Sequence, residues 1–205
     1  MADIDALYAD LSAYIHELAV KFVDAYIPAD PAIQPSAYSH EVRAYCVLCH
    51  AAFEEFIETV VLKVATKAVE TWTLSRRIND VIPSLLTWNG AKLKIDDDAS
   101  KPETKPFDYL RLLIDAAKAA FSKEVHDNHG VSVVYLRSLL IPVAIEVKND
   151  PTLLNSLQKL TDGRGAYAHK GRVKSVLAPE DAKQYVGDVL LLCDDIRKKA
   201  LANIL

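Results

Sequence analysis

Arg164 and His169 stand five residues apart in the most basic stretch of the chain. From Lys159 to Lys174, five Lys/Arg (Lys159, Arg164, Lys170, Arg172, Lys174) oppose one acid, Asp162, a local net of +4 in a chain of net −4. A local positive patch on an acidic protein suits a phosphate-bearing ligand. Arginine offers a permanent planar charge that matches phosphate oxygens. Histidine titrates near neutrality and can take or give a proton. Metal-free RNA cleavage needs both: a base for the 2′-hydroxyl and a cation for charge developing on the phosphoryl oxygens. On one regular helix, residues five apart are separated by about 140° around the axis. Either two copies of the chain line one cleft, or Gly163 and Gly165 break the helix and bring the pair together. The plainer alternative is an Arg and a His that cap carbonyls or face solvent near a helix end.

Other chemistry-bearing patterns read as structural. Cys46-Val-Leu-Cys49-His50 matches the covalent haem attachment spacing. It lies within a continuous amphipathic pattern, however, and the N-terminus has neither the basic region nor the apolar run of an export signal. Cys46 and Cys49 are therefore expected as small core residues. No second Cys pair exists to complete a zinc site. His126-Asp-Asn-His129 reads as a polar turn, and Asp96-Asp97-Asp98 as a solvated loop lacking the calcium-loop ligand pattern. No phosphate loop, dinucleotide glycine pattern or nucleophile elbow occurs. No metal and no cofactor are expected.

The elements that must position these residues are helical. Only 6 glycines occur in 205 residues, against roughly 14 at average usage. Ile4, Leu7, Leu11, Ile15, Leu18 and Phe22 recur at helical spacing over Ile4–Ile27, which ends at the proline-rich stretch 28–35. Ser39 is expected to cap a long second helix to about Trp72. Its stripe is Val42, Tyr45, Cys49, Ala52, Phe53, Phe56, Val60 and Val64. One or two short helices follow over 74–86, then a turn at Asn89-Gly90 and an exposed loop over 96–106. A helix over 107–121 leads to a polar turn at 126–130. Residues 131–147 are apolar enough for deep burial, with Ser132 as cap and Pro142 as a kink. Asp150 and Pro151 open a helix to Leu160, which Asp162-Gly163 is expected to interrupt. Pro179 opens the last helix, with Val186, Val189, Leu190, Cys193, Ile196 and Ala200 on one face. The expectation is a single all-α domain, 1–205, of six to eight helices, with residues 1–35 as an N-terminal helix and connection and 39–205 as the core.

Bulk composition agrees. A 51% hydrophobic and 25% charged chain is that of a globular protein. No apolar run reaches the length of a membrane span, three cysteines suit free thiols in a reducing compartment, and a cytoplasmic location is expected.

Three segments carry a resemblance: Arg43-Ala-Tyr-Cys-Val-Leu-Cys-His50-Ala-Ala-Phe-Glu54-Glu55-Phe-Ile, Asn128-His-Gly-Val-Ser-Val-Val-Tyr-Leu-Arg-Ser-Leu-Leu-Ile-Pro142, and Arg164-Gly-Ala-Tyr-Ala-His169. Together they resemble the HEPN superfamily, with its R-x4-6-H motif in a helical bundle, and most of all its RiboL-PSP-like branch. The resemblance implies an antiparallel four-helix core with additional helices. It also implies a metal-independent endoribonuclease of toxin or defence type, with its site at a homodimer interface. Arg164 would hold the scissile phosphate and His169 would transfer protons, with Lys159, Lys170, Arg172 and Lys174 as RNA contacts. Glu54 or Glu55 would orient Arg164, and Tyr167 is a further supporting candidate. RNA, a second copy of the chain, and an antitoxin or defence-system protein are the implied partners; a membrane is not. Gly165 stands where the family often has Asn, Asp or His. That departure supports an alternative: a non-catalytic module holding RNA, a nucleotide or a partner protein. A purely structural helical partner is a third reading, in which Arg164 and His169 would be buried or ion-paired.

Overall fold

A computed structural model describes residues 3–30, 32–92, 105–127, 130–170 and 177–204, with backbone only over 163–170. Among the described residues there are seven α-helices and no strand: α1 (Ile4–Phe22), α2 (Ser39–Ser75), α3 (Val81–Trp88), α4 (Pro106–Asp127), α5 (Val133–Leu140), α6 (Pro151–Lys170) and α7 (Pro179–Ile204).

The 37-residue α2 is the axis of the molecule. It packs against α1, α6 and α7, and α1 and α6 each also touch α7. On another side α2 meets α3 and α4. This explains why α2 buries more than one stripe. Val42, Tyr45, Cys49, Phe53, Phe56, Val60 and Val64 are buried as the periodicity predicts, and so are Cys46, Ile57, Val61, Ala65 and Ala68. One core unites Leu11, Ile15 and Leu18 of α1 with α2, Leu153, Leu157 and Leu160 of α6, and Val186, Val189, Cys193 and Ile196 of α7.

Local signals set several boundaries. Asp150 accepts from the amides of Thr152 (3.0 Å) and Leu153 (3.4 Å) and so caps α6 through its side chain. Ser132 caps α5 by accepting from the Tyr135 amide at 3.3 Å. Pro142 falls in a single 3-10 turn that ends α5, and Ala144 follows in the left-handed region at φ 56°. Gly90 turns the chain after α3 at φ 62°, where a side chain would be strained.

Other boundaries depart from expectation. Ser39 is the first residue of α2 rather than its cap, and the capping position, Tyr38, makes no side-chain bond. The 74–86 region holds one short helix, as expected, but α3 starts only at Val81, because α2 runs on to Ser75 and Arg76 closes it at φ 60° with its guanidinium over the Phe107 ring. Helix α4 continues to Asp127, so His126 is helical rather than part of a turn. Deep burial over 131–147 is interrupted, since Val134 is 75% and Ile141 56% exposed. Helix α6 does not stop at Asp162-Gly163 but runs to Lys170. The loop expected at 96–106 falls almost wholly outside the described residues.

Candidate functional site

Helix α6 carries the candidate residues, and its rotation about its own axis decides where they stand. Leu153, Leu157 and Leu160 are buried. At 100° per residue these three positions fall within an arc of about 60°. Position 164 continues the same stripe, at i, i+4, i+7 and i+11, inside that arc. Position 169 lies about 140° further round, on the shoulder of the helix. The helix is continuous through both, so Gly163 and Gly165 do not bring the pair onto one face. The side chains of Arg164, Tyr167, His169 and Lys170 lie outside the described residues, as do Arg172 and Lys174 entirely. Lys159 is exposed and stands about 140° from position 164 on the other side.

Two polar clamps hold this rotation. At the start of the helix, Ser156, 2% exposed, donates to Asp188 Oδ2 of α7 at 2.6 Å. One and a half turns on, the Thr161 hydroxyl lies 2.7 Å from the Val131 carbonyl and 2.9 Å from that of Leu157. The bond to Val131 ties α6 to the turn that precedes α5.

That turn is held in place from α2. The Gly130 amide donates to the Glu54 carboxylate. The Val131 amide donates to His50 Nε2 at 3.4 Å. The other ring nitrogen, Nδ1, stands 3.9 Å from Glu54 Oε2. His50 is 1% exposed. Its role is therefore architectural, and the cysteine pair beside it is core. Burial pushes the Cys46 thiol up to about 12 and the Cys49 thiol up as well, which leaves neither as a thiolate near neutrality.

Of the two glutamates, only Glu54 faces this side. Glu55 is exposed and lines an open groove of about 420 Å³ between α1 and α2 with Leu7, Asp10, Tyr14 and Phe56. Adjacent helical residues point about 100° apart, and the packing of α1 takes the Glu55 face. Sequence reasoning missed His50, Gly130, Val131 and Thr161 as parts of one network. A Ser/Thr one turn before the arginine was the only local signal, and it is a weak one.

The family model of RiboL-PSP-HEPN matches residues 10–202, from α1 to α7. The chain belongs to the RiboL-PSP-HEPN family. The match spans all seven helices and bears out the all-α HEPN bundle expected from the Arg43–Ile57, Asn128–Pro142 and Arg164–His169 segments. No curated protein and no solved structure matches the chain. In this HEPN module no helix among the described residues is long and apolar enough to cross a membrane. Nor do the described residues gather three or more His, Cys, Asp or Glu side chains as a metal site.

Proposed function

We propose that this HEPN module is a metal-independent endoribonuclease of toxin or defence type, acting as a homodimer through Arg164 and His169. One observation carries the reading. The two positions share one unbroken helix in a basic stretch, but on different faces, so a single copy does not present both from one face of α6. A two-fold pair of α6 helices would offer two arginines and two histidines to one phosphodiester.

In that site the Arg164 guanidinium holds the non-bridging oxygens of the scissile phosphate. One His169 imidazole accepts the proton of the 2′-hydroxyl as its oxygen attacks phosphorus. The bond to the 5′-oxygen breaks, and the imidazolium of the second copy gives that oxygen a proton. The products are a 2′,3′-cyclic phosphate and a 5′-hydroxyl. Lys159, Lys170, Arg172 and Lys174 add phosphate contacts along the strand. Such a nuclease endangers its own cell, which gives a protein inhibitor or a defence-system partner a role.

Gly165 favours a second reading. It leaves no polar side chain directly after the motif's arginine, and a module without that group would hold RNA, a nucleotide or a partner protein without cutting.

Purified wild type and His169→Ala, incubated with mixed cellular RNA in EDTA, test both. Cleavage by wild type alone, with cyclic phosphate ends, supports the nuclease. RNA bound but uncut by both moves the assignment to the binding module. A result of neither cutting nor binding rejects the nuclease and RNA-binding readings and leaves a helical partner protein whose function lies in a complex.

A further inference from the structure

Gly130 and Val131, which lead into α5, form a strap between α2 and the segment of α6 that bears position 164. The strap is held from both sides. On the α2 side, Glu54 accepts from the Gly130 amide and His50 from the Val131 amide. On the α6 side, Thr161 donates to the Val131 carbonyl at 2.7 Å. Gly130 adopts φ 110°, a conformation open to glycine, and both residues are buried. Buried backbone groups need partners, so the network resists rotation.

Thr161 also has a particular phase. Counting 100° per residue, position 164 lies about 60° to one side of it and position 169 about 80° to the other. The direction in which α6 bonds the strap therefore nearly bisects the arginine and histidine positions. Apolar packing of Leu153, Leu157 and Leu160 orients the first half of α6, and the poor helix formers Gly163 and Gly165 follow it.

We propose that Glu54 and Thr161, acting through Gly130 and Val131, are positioning residues that set the rotation of α6 at the 162–170 segment. Neither needs to touch substrate. The value of this for catalysis rests on the nuclease reading, because a misrotation of 20–30° would move both groups out of line with a phosphodiester.

The test uses the full chain as wild type, Thr161→Val, Thr161→Ser and Glu54→Gln. Amide hydrogen exchange is followed in peptides covering 162–170, 130–140 and α1, α2 and α7. Thr161→Val should speed exchange over 162–170 by at least about tenfold while α1, α2 and α7 keep their protection. Thr161→Ser, which retains the donor, should match wild type. Glu54→Gln, which keeps an acceptor oxygen but loses the charge, should loosen both 130–140 and 162–170, to a smaller extent than Thr161→Val loosens 162–170. Unchanged exchange over 162–170 in both Thr161→Val and Glu54→Gln overturns the proposal, as does loss of protection across the whole chain. Exchange needs no RNA, so an inactive wild type sinks the nuclease reading without touching this one. Where wild type cleaves, Thr161→Val should lower kcat by about tenfold or more with KM within about threefold, and serine should restore it.

Discussion

Thr161 of α6 donates to the carbonyl of Val131 at 2.7 Å, and this bond joins the helix bearing Arg164 and His169 to a turn anchored on α2. It explains how a stretch containing Asp162, Gly163 and Gly165 remains helical. The Thr161 hydroxyl satisfies a carbonyl outside the helix, and Gln158 bonds Asp162 at 2.7 Å within it. Each glycine costs about 1 kcal/mol relative to alanine in a helix interior. Burial of three leucines upstream, each worth about 1.5–3 kcal/mol, outweighs that cost.

Glu54 and Glu55 should separate in a urea titration. Glu54→Ala leaves the buried Gly130 amide without its carboxylate acceptor and should destabilise the fold by about 1–3 kcal/mol. Glu55→Ala changes an exposed side chain on the α1–α2 groove and should stay within about 0.5 kcal/mol of wild type. Equal shifts in midpoint would contradict the assignment of Glu54 to the strap.

For the proposed nuclease, charge alone at position 164 is not enough. Lysine supplies a point charge where arginine supplies a planar fork. Arg164→Lys should lower cleavage by about a hundredfold or more, with RNA affinity falling far less. A lysine variant that cuts at the wild-type rate would show that bidentate phosphate contact is not part of the reaction.

Acid should weaken the α7–α1 ion-pair cluster. Lys198, together with Arg197, holds the Asp194 carboxyl below its usual range, against a smaller opposing effect of burial. Its folded-state value is depressed, so its contribution is present above the ordinary carboxylate value near 3.9 and is lost as pH falls through the folded value. The difference in Tm between wild type and Asp194→Asn should therefore be steady from about pH 7 to pH 5 and shrink below about pH 4. Added salt should reduce it, since the pairs are partly exposed. A difference that grows on acidification would contradict the sign.

All three cysteines should be silent in the native state. Cys46, Cys49 and Cys193 are buried free thiols, and burial pushes each upward, Cys46 to about 12. A thiol reagent at pH 8 should label none of the three in the folded chain and all three in denaturant. Fast native labelling of Cys46 or Cys49 would mean that α2 opens locally.

Much of the fold was legible because its signals are local. Pro151 with Asp150, Pro179, Ser132 and Gly90 mark boundaries through their own backbone and hydrogen-bonding chemistry. The 3.6-residue period of Val42 to Val64 and of Val186 to Ala200 names the faces that the structure buries, except that Ala52 and Leu190 lie at their edges and are only partly buried. Boundaries decided by a competition were not legible. Asp162-Gly163 looks like a stop because its propensity is poor, and it is overruled by packing against α7 and by a bond to a residue 30 positions away. His50 attracted notice only as the end of a Cys-x-x-Cys-His spacing, whereas its partner is the Val131 amide, 81 positions distant.

By itself the sequence determined an all-helical chain, the stripes that meet in its core, the basic stretch from Lys159 to Lys174, and the three segments that point to the HEPN family. Hydrophobic periodicity, proline and glycine geometry, and charge are properties of neighbours along the chain, so they can be read without coordinates. Only the tertiary structure decided that α6 continues through Arg164 and His169, that position 164 extends the buried leucine stripe while 169 stands on the shoulder, and that Glu54 rather than Glu55 holds the Gly130 amide. Those outcomes turn on the axial rotation of one helix against two others. That rotation is set by contacts between residues tens of positions apart, such as Ser156 with Asp188 and Thr161 with Val131.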